Sequence, residues 1–258
     1  MAQIGSLLFL LLAPMAAGAM LLLASAGRMD RESLSVPILA VFLVTGLAVS
    51  LLPLQSFTAH RGLILGLYLG TLIVAFLASL FCLRGFKSEV LRGLLLVSGA
   101  LSFMALVLQA VEGLWAHSVN IGRGRLALDY ALSAMLLGGL LTAVLVRWMR
   151  QERGPLLKTA ATWILIPAAM KTGLSGHYLG ELIRLDLLQS GLSGWPGLLL
   201  WIREGSLLGL LIGAAVVWYS ARGRPERSVT APLHWTVAAG LVAEAAGRLL
   251  LTGRGLLL

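Results

Sequence analysis

The sequence predicts an all-α integral membrane protein: one domain over residues 1–258, a bundle of eight transmembrane helices with both termini extracytoplasmic. Three observations predict it. Of the 258 residues 59% are hydrophobic and 12% charged, with a mean hydropathy of +0.92, far outside the balance of ordinary soluble domains. Eight mostly apolar stretches of about 20 residues, the length that crosses a hydrocarbon core of about 30 Å, follow one another along the chain. The 20 Lys and Arg residues fall unevenly between alternate loops. The stretches are continuously apolar instead of alternating, so helices that satisfy their own backbone are expected, and a barrel is not.

The first stretch, residues 4–26, holds "APMAAGA", small residues of the kind a signal peptidase cuts. Its leading "MAQIGS" lacks the positive segment that a secretory signal carries, so a retained span is expected. The second and third, 36–54 and 62–83, flank the connection "LQSFTAHRG". The fourth, 90–115, closes on "LQAVEGLWAHS", and the fifth covers 127–149. The sixth, 156–183, ends in "GHYLGELIRLD"; the seventh, 198–219, begins "LLLWIREGSLLGL"; the eighth, 233–251, ends "AEAAGRLLLTG". Pro14, Pro53 and Pro167 are candidate kinks in the first, second and sixth. Small residues four apart, Gly66 with Gly70, Gly176 with Gly180, and Gly205 with Gly209 and Gly213, are candidates for close helix contact.

Orientation follows from the basic residues, which are enriched in cytoplasmic loops next to span ends. The loops after the first, third, fifth and seventh spans hold twelve, Arg28 and Arg31 through Arg222, Arg224 and Arg227; the opposite loops and tail hold six, Arg61, Arg123, Arg125, Arg184, Arg248 and Arg254. That asymmetry places both termini outside. The net charge of +9 sits in short loops instead of on one soluble face, so topology and anionic lipid account for it, and nucleic acid does not. The single cysteine, Cys82, excludes an intrachain disulfide and any zinc or iron–sulfur site ligated by this chain's cysteines alone. No internal repeat of the transporter kind is evident.

Ionisable residues at membrane depth are costly, about 3 kcal/mol near a span centre, and therefore face protein or water. Here they gather toward the outer side: Glu112 in the fourth span, His177 and Glu181 in the sixth, Arg203 and Glu204 in the seventh, Glu244 and Arg248 in the eighth. Lys171 is the one cation expected at mid-membrane. Residues four apart share a helix face, so Glu244 is expected over Arg248 and His177 over Glu181. Adjacent Arg203 and Glu204 point about 100° apart and are expected to bind different neighbours, Arg203 pairing with Glu181 or Glu244, and Arg248 with the remaining carboxylate. Such pairs can simply fix helix register, and Arg248 can alternatively reach the outer headgroups. His60, Glu112 and His117 stand where a polar-headed lipidic ligand would enter, whereas Trp115, Trp195 and Trp201 suit an interfacial belt.

Taken together, "LLFLLLAPMAAGAMLLLASAG", "YLGELIRLDLLQSG", "LLLWIREGSLLGL" and "AEAAGRLLLTG" resemble the membrane anchor subunit of dimethyl sulfoxide reductase-type molybdoenzyme complexes. The resemblance covers most of the chain through short motifs. It implies an anchor in a bacterial or archaeal cytoplasmic membrane, without haem or metal of its own. It further implies exchange of electrons between menaquinol and an iron–sulfur subunit that serves a molybdopterin catalytic subunit. Glu181, Arg203, Glu244 and Arg248 match charged family positions. The chain departs from the family at the end of the second span and the start of the third, where a quinone-linked histidine and glutamate give way to "SLLPLQSF" and "GLILGLYLGTLIVAF"; His60 is the candidate substitute. On this reading His60 or His117 hydrogen-bonds a quinone oxygen, Glu112 passes protons to the outer water, and Arg61, Arg123 or Arg125 meets the iron–sulfur subunit.

Three alternatives stand beside it. A longer polysulfide-reductase-type anchor would share the eight-span core and the quinone. A haem-bearing cytochrome would need paired histidines at matching depth, and only His60, His117, His177 and His234 exist. A transporter would need polar steps at every depth.

Overall fold

The computed structural model describes the backbone of residues 2–25, 31–52, 61–116, 123–148, 155–184, 195–222 and 230–253, and side chains over a slightly narrower set. Among these residues the chain is all helical. The helices are α1 (Ala2–Ser25), α2 (Arg31–Ser50), α3 (Arg61–Arg84), α4 (Ser88–Ala116), α5 (Arg123–Trp148), α6 (Pro155–Arg184), α7 (Trp195–Arg222) and α8 (Thr230–Gly253). Each expected apolar stretch falls on one of them. Pro14 and Pro167 lie inside continuous helices, as does Pro37; Pro53 lies outside the described residues.

Five segments are long and apolar enough to cross a membrane: Ile4–Ser25, Gly62–Arg84, Ser88–Gln109, Ala127–Trp148 and Gly197–Ala221. Ser35–Ser50 is a shorter apolar helix, while α6 and α8 are diluted by Lys171 and by Glu244 with Arg248. The perimeter carries large apolar side chains such as Leu43, Ile73, Phe76, Leu83 and Ile212. Helices that are apolar toward both their neighbours and the outside belong in lipid, and the chain is a multi-pass membrane protein.

Local chemistry closes the turn between α3 and α4. Gly85 takes the left-handed conformation at φ 84°, its amide donates to the Cys82 carbonyl at 3.3 Å, and the Phe86 amide donates to the Phe81 carbonyl at 3.1 Å. Phe81 and Phe86 stack across that turn at 4.4 Å, supplying the apolar contact that accompanies this kind of helix end. Glu89 then sits in the first turn of α4, where the helix dipole favours an acid.

Successive helices run antiparallel. Phe42 of α2 meets Phe76 of α3, the Ser98 hydroxyl of α4 donates to the Thr71 carbonyl of α3, and Gly139 of α5 faces Ala160 of α6. Helices α1 and α5 are the most enclosed, with α2, α3 and α4 gathered around α1, and α6, α7 and α8 on the other side of α5. Their crossing requires glycine. A Cβ on Gly18 would overlap the Ala134 carbonyl oxygen, and one on Gly138 would overlap the Gly18 backbone. This is where backbones approach, and only part of the expected glycine pattern shares in it. Gly213 lies hard against Thr236, whereas nothing lies within 4 Å of a Cβ at Gly66 or Gly205.

Buried hydroxyls are satisfied within the bundle. Thr45, Thr71, Ser79 and Thr142 each donate to the carbonyl four residues earlier, as lipid-embedded helices demand. We call the end at which α1, α3, α5 and α7 begin the near end. Toward the far end the core is mostly hydrocarbon, with Leu91, Val146, Leu157, Val217 and Leu233 fully enclosed, and the buried polar side chains there are hydroxyls such as Ser79, Thr142 and Thr236.

Candidate functional site: a charge-balanced cluster at the near end

Four helices bring polar side chains to one depth near this end. Helix α5 presents Asp129 and Ser133, and α6 presents Lys171 and Ser175, each pair four residues apart and so on one face. Helix α8 presents Glu244 and Arg248 with the same spacing, and α7 contributes Arg203 and Glu204.

Lys171 is the centre of the cluster. Its Nζ donates to Asp129 Oδ1 at 2.9 Å and to Ser133 Oγ at 2.8 Å, and it pairs with Glu244 Oε1 at 2.5 Å. All three ammonium protons are therefore engaged. Ser133 Oγ accepts from Lys171 Nζ and from Arg248 NH2, each at 2.8 Å. Its own proton faces Glu244 Oε2 at 2.8 Å and its helix's Asp129 carbonyl at 2.9 Å. One hydroxyl with two acceptor sites and one donor thus ties three helices. Arg248 approaches Asp129 Oδ2 at 3.6 Å and Glu244 Oε2 at 3.7 Å, and its guanidinium carbon lies 4.1 Å from the centre of the Tyr130 ring.

Lys171 and Glu244 are each 4% exposed, Arg248 1% and Asp129 29%. Two cations and two carboxylates cancel. An uncompensated charge at this depth would be expensive, so each member is tolerated because the others are present.

A second group adjoins the first. Ser175 Oγ donates to Glu204 Oε1, and Arg203 NH1 donates to Ser175 Oγ at 3.0 Å and to Glu204 Oε1 at 2.9 Å. A Cβ on Gly247 would stand 3.3 Å from Arg203 Nε, so the glycine beside Arg248 leaves room for Arg203 to lie against α8. With Arg203 and Glu204 included, the described groups still balance, three positive and three negative.

Next to the charged cluster, Tyr130 of α5 is buried among apolar residues that include Phe9, Ala13, Ile64, Tyr68, Leu106 and Ala134. Tyr68 meets Phe9 edge to face at 5.5 Å, and its hydroxyl donates weakly to Gln109 Oε1 at 3.4 Å.

Several sequence expectations change here. Glu244 and Arg248 do share a face and a contact. Arg203, however, pairs with Glu204 and Ser175, and not with Glu244: its long stem carries the guanidinium back across the angle between adjacent residues. Arg248 is enclosed and does not reach the headgroups, because Ser133, Asp129, Glu244 and the Tyr130 ring hold it inside. Lys171, expected as the one mid-membrane cation, is paired twice, with Asp129 and Glu244.

Asp129, Ser133 and Ser175 went unrecognised in the sequence. The available signal was Asp129 and Ser133 four apart at the start of an apolar span, together with a lysine in the next span that needed a counter-charge. His60 and His117 lie outside the described residues, as do the side chains of Arg61, Glu112, Arg123, Arg125, His177 and Glu181; the α-carbons of the last six belong to the near-end turns of α3, α4, α5 and α6. Among the described residues no group of three or more His, Cys, Asp or Glu side chains is placed to hold a metal ion.

Lysine and two carboxylates joined through a hydroxyl can hold a proton, or pass it along hydrogen bonds, while the net charge stays small. Asp129, the most exposed member, is the one that meets the surroundings. No protein-family model matches the sequence, and no match is found among curated proteins or solved structures.

Proposed function

We propose that this chain is the eight-span anchor subunit of a molybdopterin and iron–sulfur oxidoreductase complex in a bacterial or archaeal cytoplasmic membrane. In this reading both termini and the near end are extracytoplasmic. The chain exchanges electrons between the menaquinol pool and an iron–sulfur subunit docked on that end. His60, Glu112 and His117 remain the candidate groups for the quinone oxygens and their protons, and Arg61, Arg123 and Arg125 for the docked partner.

One observation carries the proposal: among the described residues the buried charged side chains are Lys171, Glu244 and Arg248, all in one near-end cluster. Quinol chemistry at one membrane face needs polar, proton-handling groups at that face and insulation beneath them. A transport path needs polar steps at every depth, and among the described residues the enclosed far-end core carries no buried charge, only helix-bonded hydroxyls such as Ser79, Thr142 and Thr236. This distribution favours a redox anchor over a transporter.

The test is purification of the intact assembly in mild detergent. An iron–sulfur protein is expected to copurify, and quinol is expected to reduce its clusters. A chain recovered alone from native membranes, without quinol-dependent electron transfer, would overturn the proposal. Alkaline phosphatase fused to the C-terminus should be active outside; an inactive fusion beside a fluorescent cytoplasmic reporter would reverse the orientation.

A further inference from the structure

Three polar side chains reach the same depth from three helices. Tyr68 is seven residues inside the start of α3, Gln109 seven residues before the end of α4, and Tyr130 seven residues inside the start of α5. At 1.5 Å per residue that is about 10 Å below the helix ends, within reach of a head group entering from the near-end leaflet.

Tyr68 and Gln109 bond to each other, but the Tyr130 hydroxyl is buried and has no hydrogen-bond partner among the described residues. A buried tyrosine normally finds one, because stripping a phenol of water without replacement is unfavourable. The surrounding pocket would suit phenylalanine: Phe9, Ile64, Leu106 and Ala134 ask nothing of a hydroxyl. The ring is also unusual in having the Arg248 guanidinium over its face at 4.1 Å. A cation there draws density from the ring and polarises the phenolic O–H as a donor. The ion cluster fixes that cation in place through Ser133, Asp129 and Glu244.

We infer that the Tyr130 hydroxyl donates a hydrogen bond to a carbonyl oxygen of a quinone head group, in a site that Tyr68 and Gln109 border, with Arg248 strengthening the donor. The assignment rests on the quinone reading above and adds to it a ligand residue outside the histidine and glutamate set. It also gives the buried charges a task. They hold a guanidinium against an aromatic ring that a snorkelling arginine would never touch.

The test uses the intact complex and a short-chain naphthoquinone labelled with ¹³C at its carbonyls, read by difference infrared spectroscopy. In the unaltered protein a carbonyl band should move to lower frequency on binding. Tyr130→Phe keeps the ring and the Arg248 contact and removes only the donor, so that shift should vanish and affinity should fall about tenfold. Tyr219→Phe, at an exposed tyrosine on the perimeter of α7, should leave the shifted band in place.

Naphthoquinone bound by both proteins with the same band and affinity overturns the inference and leaves the quinone reading standing. An unaltered protein that binds no naphthoquinone overturns the quinone reading itself. A hydroxyl satisfied by a lipid ester would leave the quinone band unshifted, which also refutes the assignment. Failure of Tyr130→Phe to assemble would show that the partner lies within the protein, with the same result.

Discussion

Lys171 and Glu244 offer the sharpest test of whether the near-end cluster acts as a charge-balanced unit. Glu244→Gln leaves Lys171 and Arg248 facing Asp129 alone, an excess of one positive charge, and leaves one acceptor oxygen where Lys171 Nζ and Ser133 Oγ use two. Lys171→Met leaves Asp129 and Glu244 facing Arg248 alone, an excess of one negative charge. Each single change strands a buried charge and should cost about 3–5 kcal/mol. The double variant is neutral again, with Asp129 and Arg248 still opposed at 3.6 Å, so it should cost no more than about 1–3 kcal/mol. The coupling between the two sites is then about 3 kcal/mol or more in favour of the pair.

The protein carries its own reporter. Cys82 is the chain's single cysteine and is 2% exposed, so labelling by a maleimide dye follows opening of the bundle as denaturing detergent is raised. Additive single effects, with a coupling below about 0.5 kcal/mol, would show that the cluster is not a unit and refute the reasoning.

Two further predictions probe its surroundings. Ser133→Ala removes the shared acceptor of Lys171 and Arg248 but leaves both cations their carboxylates, so it should cost about 1–3 kcal/mol, less than Glu244→Gln by the same labelling assay; a larger loss would mean the hydroxyl, and not the charges, dominates. Gly138→Ala places a methyl into the backbone of α1 and should prevent assembly or destabilise it by several kcal/mol, on the order of 3 or more, whereas Gly66→Ala meets nothing within 4 Å and should be neutral or stabilising by about 0.5–1 kcal/mol. Equal effects at the two glycines would remove the α1–α5 crossing as the point of closest approach.

The helices were legible in the sequence because lipid imposes a length and an apolar composition that continuous runs display directly. Their ends were also readable within a few residues: the stretch at 36–54 became α2, which stops at Ser50 as the Leu51 and Leu52 amides bond back to Leu47, Ala48 and Val49. Glu244 over Arg248 was legible for the same reason, a contact within one helix. The interhelical geometry was not. Spacing could not distinguish Gly138, which meets another backbone, from Gly66, which faces open space. Nor could it say that Arg203 would fold back on its own neighbour. Asp129 escaped notice because a single acid near a span end resembles any interfacial residue; only the approach of α6, with Lys171 2.9 Å away, makes it part of a site.

The cluster still needs a reason beyond holding helices together. Well-packed apolar residues often replace a buried ion pair at no loss of stability, sometimes with a gain of about 1–4 kcal/mol, so six charged groups at the near end are a poor device for stability alone. The Lys171→Met, Glu244→Gln double variant separates the two roles. Its folding should largely recover, since charge balance returns, yet Arg248 loses the Glu244 carboxylate, and Ser133 loses the lysine that orders it. The guanidinium is then free to shift from the Tyr130 ring. Quinol-dependent reduction of the partner should consequently remain depressed in a protein that assembles and resists unfolding. Full electron transfer in that variant would mean that the charges serve only as a clamp, and that Tyr130 works without the cation above it.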